Sequence, residues 1–242
     1  MTIKKNRRLL LLSNSTNAGQ EWLEHAGDDI QSFLGDGVQE VLFIPYAGVS
    51  ITFDEYAERA TQKFDELGYT IRPIHEESDP VRAVDGCGAL AVGGGNTFHL
   101  VHHLHREGLL DPVRQKVAAG MPYVGWSAGS NVACPGLFTT NDMPIIEPEG
   151  FQTFDLIPFQ INPHYIDTHP PGHKGETREE RILEYVEVNR EMWVTGLREG
   201  SIFLVEGENV TLIGGQSVRI FRYGREPAEY EPEDDLRFLL RS

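Results

Sequence analysis

The alternation of two periodicities constrains this chain more than any other feature. Short apolar runs rich in branched residues occur at 9–13, 40–45, 69–74, 89–93 and 122–126. Each has the length and continuity of a strand buried on both faces. Between them, at 20–34, 53–67, 80–85, 97–108 and 111–119, apolar residues recur every three or four positions, as the buried stripe of a helix requires. Strands that must be covered on both faces, alternating with helices that must bury one, predict an α/β fold: a mostly parallel sheet flanked by helices. A length of 242 residues suffices for one domain with a sizeable core, and no Ser/Pro/Gly-rich linker interrupts it, so 1–242 reads as a single domain.

The pattern loosens in the second half. Residues 151–161 are apolar without a period, 176–188 read as a helix, and short runs at 193–195, 201–205, 210–213 and 217–223 predict extra edge strands near the C-terminus with antiparallel character. Residues 225–242 form an acidic C-terminal extension, in which the apolar run 236–240 is suited to tie the end back onto the body.

A net charge of -16 argues against nucleic acid or an anionic membrane as partner, because both repel an acidic chain at long range. No run of 18 apolar residues is present to span a bilayer. Cys87 and Cys134 sit in apolar surroundings and read as small buried residues in a reducing, cytoplasmic setting. The segment Lys4-Lys5-Asn6-Arg7-Arg8 before four leucines superficially looks like a leader, but the apolar stretch is too short and carries no small-residue cleavage pattern. A first buried strand is the better reading.

The strand at 122–126 runs directly into Gly125-Trp126-Ser127-Ala128-Gly129. A G-x-S-x-G run between a strand and a helix is the local signature of a nucleophile elbow, in which small neighbours let a strained serine stand clear of the sheet. The blander reading is a tight turn whose serine merely caps the helix. A second turn, Gly93-Gly94-Gly95-Asn96, follows the strand at 89–93. It lets backbone approach a ligand closely and offers further N–H groups, and its spacing does not match a dinucleotide site.

A serine hydroxyl needs a base. His99, His102, His103 and His105 crowd one helix without a carboxylate or cysteine to complete a metal set. His164, in Asn162-Pro163-His164 after an apolar run, is the better base candidate, with His173 second. Asp142 and Glu199, both in loops beside apolar strands, are the candidate acids to orient it, and local pattern does not choose between them. Arg178, in the locally basic stretch His173-Lys174-Gly175-Glu176-Thr177-Arg178, has either a bidentate role toward a substrate carboxylate or a surface ion pair with Glu179 or Glu180.

Seven blocks in order carry a wider likeness: Leu11-Leu12-Ser13-Asn14-Ser15-Thr16, Ile44-Pro45-Tyr46-Ala47-Gly48-Val49, Val92-Gly93-Gly94-Gly95-Asn96-Thr97, the elbow itself, Thr139-Thr140-Asn141-Asp142-Met143-Pro144, Ile161-Asn162-Pro163-His164, and His173 to Glu179. Together they resemble the peptidase E family of alpha-aspartyl dipeptidases. The resemblance implies a class I glutamine amidotransferase-like fold, no metal or organic cofactor, and hydrolysis of small peptide substrates, the Asp-X dipeptides. It implies Ser127 as nucleophile, His164 as base, the N–H groups of Gly95 and Ala128 as oxyanion donors, and Arg178 as the ligand of the aspartate side chain. It offers both acids, with Asp142 expected to be essential and Glu199 supporting. Ser130, where the elbow is often followed by alanine, is a small departure. The rival readings are a cyanophycinase-like serine peptidase for beta-aspartyl linkages and a non-catalytic amidotransferase-like binding module. Oligomeric state, monomer or homodimer, stays open.

Overall fold

The computed structural model describes residues 6–167, 172 and 174–241. In chain order the elements are β1 (Arg8–Leu12), α1 (Gly27–Leu34), β2 (Glu40–Ile44), α2 (Phe53–Glu66), β3 (Thr70–Pro73), α3 (Pro80–Gly86), β4 (Leu90–Val92), α4 (Thr97–Arg106), α5 (Leu110–Ala118), β5 (Pro122–Trp126), α6 (Ala128–Asn131), β6 (Gln160–Asn162), α7 (Arg178–Val188), β7 (Val194–Gly196), β8 (Ile202–Glu206), β9 (Asn209–Ile213), β10 (Val218–Phe221) and β11 (Ala228–Tyr230). The helices begin where side chains satisfy their first N–H groups. Thr52 and Thr177 form capping boxes with Glu55 and Glu180, and Asn96 accepts from His99 N–H. The helix expected from residue 20 starts only at Gly27, after a single 3₁₀ turn entered through Leu23 in the left-handed region.

The main sheet has the order β3-β2-β4-β5-β1-β8-β9. Its first five strands are parallel, and β8 and β9 extend it antiparallel beyond β1. One face packs against α3, α4 and α5 through Leu9, Leu11, Leu100, Leu104, Val113 and their neighbours. The other packs against α1 and α2 through Leu10, Leu12, Ile30, Phe43, Phe64 and Trp126. Alternate leucines of the 9–12 run therefore serve opposite layers, as the period of two in a strand dictates.

The expectation that the later strands are all edge strands holds for β8 and β9 only. The other short strands build a second sheet of order β11-β10-β7-β6, in which β6 and β7 run parallel. It packs on α7 through Tyr165, Ile182, Val186, Val194 and Phe221. The C-terminal extension is part of this body: β11 pairs with β10, and Leu236, Leu239 and Leu240 are buried in the main core. Among the described residues no helix is long and apolar enough to cross a membrane.

Register fixes where chemistry can occur. Leu12 pairs with Trp126, and Val92 with both Gly125 and Ile44, so the carboxyl ends of β1, β2, β4 and β5 are level. The turns that follow them meet at the edge where open parallel sheets form ligand sites.

Candidate active site

Ser127 leaves β5 with φ 53° and ψ -110°, a conformation that costs a residue with a Cβ of the order of 1–3 kcal/mol. Its surroundings hold it there. Ser127 N–H donates to Leu12 O at 3.0 Å, and Ser127 O accepts from the N–H groups of Ser130 and Asn131. A Cβ at Gly125 would meet the carbonyl of Gly129, and one at Gly129 would press into the carbonyl of Val92, so both elbow glycines answer to close backbone approach. Ser130 is wholly buried, and its hydroxyl lies 2.7 Å from Leu12 O and 2.8 Å from Gly125 O. It thereby ties α6 to the ends of β1 and β5.

The glycine-rich turn lies against this elbow. A Cβ on Gly94 would come within 3.0 Å of the Ser127 Cβ, while Gly95 has φ 138° and no room for a Cβ beside the Ala47 carbonyl. Tyr56 braces the two turns: its hydroxyl donates to Gly94 O at 3.0 Å and accepts from Trp126 Nε1 at 2.9 Å. Asn96 N–H is bonded to Ala47 O. The N–H groups of Gly95 and Ala128 have no acceptor among the described residues, which leaves two backbone donors beside the serine.

His164 reaches the elbow from the second sheet. Its Nε2 lies 2.8 Å from Ser127 Oγ and its Nδ1 lies 2.7 Å from Glu199 Oε1. A carboxylate only accepts, so Nδ1 carries the proton and Nε2 is left to accept from the serine hydroxyl. The register of β6 and β7 produces this alignment. Asn162 pairs with Gly196, and Tyr165 N–H and Leu197 O close the next rung at 3.0 Å, so the residues just past each strand stand side by side. Ser13, fully buried at the end of β1, joins the two sheets. Its hydroxyl donates to Leu197 O at 2.8 Å and accepts from His164 N–H at 2.9 Å. Asn14 supports the Glu199 loop by accepting from Gly200 N–H.

Asp142 makes no hydrogen bond to His164 among the described residues. Its Oδ2 accepts from Thr97 N–H at 2.7 Å, Thr97 Oγ1 at 2.6 Å and Thr140 Oγ1 at 3.0 Å, placing a negative group at the N-terminus of α4, where the helix dipole favours it. It nonetheless lines the same cleft as Ser127 and His164, a space of about 480 Å³ also bordered by Gly95, Asn96 and Thr140. The Asp142 loop is latched to the His164 loop through Asn141, whose side chain donates to Pro163 O and accepts from Asn162 Nδ2.

Arg178 is the first residue of α7 and half-buried. The surface ion pairs open to it from sequence are taken: Glu179 holds Arg219, and Glu180 accepts from Thr177 N–H in the capping box. Arg178 has no ion-pair partner among the described residues. Burial, reinforced by Arg181, lowers its pKa, and the nearby charge of Asp142 acts in the opposite sense. It does not itself form part of the cleft wall that Asp142 lines. His173 lies outside the described residues.

The remaining candidates are accounted for by packing. His99 Nδ1 lies 2.8 Å from Tyr46 O, His99 and His103 face each other with Nε2 atoms 3.2 Å apart, and His105 is bonded to Gln152 O. Burial pushes the thiol of Cys87 up to about 11 and that of Cys134 up to about 12, which suppresses thiolate chemistry. Sequence reasoning gave no individual role to Ser13, Asn14, Tyr56 or Thr97, because a polar side chain carries no local sign of what it will bond to.

Residues 9–213 match the model of peptidase family S51. The chain belongs to peptidase family S51. A peptidase E of Nostoc is 48% identical over 97% of both chains, and one of Salmonella newport is 46% identical over 92% of this chain and 97% of that protein. A solved peptidase from an acI-B1 actinobacterium superposes with a TM-score of 0.68 at 16% identity, covering 96% of this chain and 98% of the other, a likeness of fold. The protein is thus a serine peptidase of family S51, and all the residues set around Ser127, from Leu12 to Glu199, fall within the matched span.

Proposed function

We propose that this S51 peptidase is an aspartyl dipeptidase that hydrolyses Asp-X through Ser127, His164 and Glu199. The observation that carries the specificity is Arg178, half-buried and without an ion pair among the described residues, with Asp142 near enough for their charges to interact. An unpaired cation beside a cleft acid matches a substrate end that bears both a carboxylate and an ammonium. Arg178 takes the aspartate side chain, and Asp142, held by Thr97 and Thr140, takes the α-ammonium.

In the first half-reaction the Ser127 Oγ–carbon bond forms as the hydroxyl proton passes to His164 Nε2. The negative oxygen that develops is met by the N–H groups of Gly95 and Ala128. The C–N bond then breaks as Nε2 gives its proton to the leaving amine. Water repeats the sequence on the aspartyl ester, releasing aspartate and restoring Ser127. Glu199 holds the imidazole in the tautomer that both halves need and stabilises its cationic form.

The test compares kcat/KM for Asp-Leu, beta-Asp-Leu, Asn-Leu and Leu-Leu. Asp-Leu is expected to exceed Asn-Leu by about 100-fold, since the amide leaves the guanidinium unpaired, and Arg178→Ala is expected to erase most of that difference. Comparable rates on all four peptides would remove Arg178 from this role. A preference for beta-Asp-Leu would favour an isoaspartyl peptidase, and absence of turnover together with no acylation of Ser127 would favour a binding module.

A further inference from the structure

The cleft wall itself carries an arginine, Arg59, to which the reading above gives no role. Asp142, Thr97 and Thr140 approach Ser127 from the α4 side of the main sheet. Arg59 approaches from the opposite side. It projects from α2, whose Tyr56, Ala57, Ala60 and Phe64 pack in the core on the other face of the sheet, and it lines the cleft together with Ser15, Trp22, Val49 and Ile51.

Arg59 is anchored rather than free-swinging. Its guanidinium lies 4.9 Å over the ring of Trp22, a cation–π placement that restricts the side chain while leaving its N–H edge open. Trp22 in turn meets Trp126 edge-on at 5.5 Å and Tyr56 at 6.3 Å. The ring that anchors Arg59 therefore touches the residue that precedes Ser127. Glu55, one turn away on α2, is committed to the capping box with Thr52, and Arg59 has no ion pair among the described residues. Arg59 is exposed and lines the cleft, and a guanidinium seated on an aromatic ring there can offer its donors to a carboxylate.

We propose that Arg59 binds the free C-terminal carboxylate of the substrate, so that the cleft accepts a residue after the scissile bond only when that residue ends the peptide. The assignment rests on the aspartyl dipeptidase reading above. In Asp-X the C-terminal carboxylate is one residue beyond the scissile carbonyl, a reach of at most about 3.6 Å of chain, which keeps it inside the cleft that Ser127 and Arg59 share. The side chain of X then lies against Val49, which is 56% exposed, and Ile51, an apolar lining that tolerates many residues without selecting one. Three charges on the substrate meet three groups on the protein: side-chain carboxylate with Arg178, ammonium with Asp142, C-terminal carboxylate with Arg59. The arrangement makes chain length, as well as the first residue, a determinant of turnover.

The experiment measures kcat/KM of wild type, Arg59→Met and Arg59→Lys on Asp-Leu, Asp-Leu amide and Asp-Leu-Leu. Wild type is expected to favour Asp-Leu over the amide and the tripeptide by about tenfold, the scale of one charge-assisted pairing at a partly exposed site, expressed chiefly in KM. In Arg59→Met the ratio is expected to collapse to about one, and in Arg59→Lys to be kept in part. A wild type that does not discriminate, or an Arg59→Met enzyme that slows on all three substrates while keeping the wild-type ratio, overturns the assignment, while turnover of Asp-Leu leaves the specificity for an N-terminal aspartate standing. A wild type that cleaves none of the aspartyl peptides overturns both.

Discussion

Glu199→Gln isolates what the acid behind His164 contributes. The amide oxygen can still accept from Nδ1–H, so geometry is largely kept and the loss is that of the negative charge beside the imidazolium of the transition state. With Nδ1 and Oε1 2.7 Å apart, the charge centres are about 4 Å apart. At that separation the attraction is about 1 kcal/mol in water and about 4 kcal/mol at an effective dielectric of 20. The side chains of His164 and Glu199 are 38% and 54% exposed, which places the pair toward the watery end, at about 1–2 kcal/mol. Each 1.4 kcal/mol is a factor of ten in rate, so kcat should fall by about 5- to 30-fold with little change in KM. That is well short of the roughly 10⁴-fold loss seen when a fully buried triad carboxylate is neutralised. Asp142→Asn serves as the comparison. It should act on substrate capture, raising KM strongly, because Asp142 touches the threonines of the α4 terminus and not the histidine. Steady-state kinetics on Asp-Leu decides the matter. A Glu199→Gln enzyme within twofold of wild type in kcat, alongside an Asp142→Asn enzyme with normal KM and a collapsed kcat, would refute this division of labour.

Two further outcomes follow from the same geometry. Ser127→Gly should abolish hydrolysis yet raise Tm by about 2–5 °C in scanning calorimetry, because glycine occupies φ 53° and ψ -110° without the Cβ penalty; Ser127→Ala keeps the Cβ and should show no rise, and equal melting of both variants would argue against stored strain. His103, buried between Tyr46 and Phe53, has its pKa pushed down to about 4, chiefly by burial. Between pH 6.5 and about 4 the unfolded chain therefore binds a proton that the native state refuses, and stability falls as pH drops through that window. In His103→Phe, which retains an aromatic ring at that position, the urea midpoint should fall less between pH 7 and pH 4.5, and identical slopes for both proteins would show that His103 does not set the acid limit.

The strands β1 to β5 and the helices between them were legible because each is specified by its own residues: a run of branched apolar side chains, a periodic stripe, a capping threonine or asparagine. The elbow was legible for the same reason. Gly125 and Gly129 are demanded by backbone contacts within a few residues and with the adjacent strand β4, so the spacing around Ser127 carries the geometry. The second sheet was not legible. β6 and β7 have three residues each, too few to display a period, and their parallel pairing joins segments far apart in the chain.

That pairing also decides which carboxylate meets His164. Asp142 and Glu199 lie on opposite sides of His164 in sequence, in loops of similar composition, and nothing local separates them. Only the register of β6 with β7, fastened to the first sheet through the Ser13 hydroxyl, brings Glu199 to Nδ1, while Thr97 and Thr140 claim Asp142 for the helix terminus. Arg178 shows the same division: its residue type and neighbourhood suggested two roles, and it was the capture of Glu179 by Arg219, contributed by a strand of the second sheet, that left it without an ion pair among the described residues. By itself the sequence determined the strained turn that presents Ser127, since strain and close approach are written into adjacent residues. The tertiary structure decided which distant charges face it, because a charge acts through space and its partner is chosen by the pairing of strands.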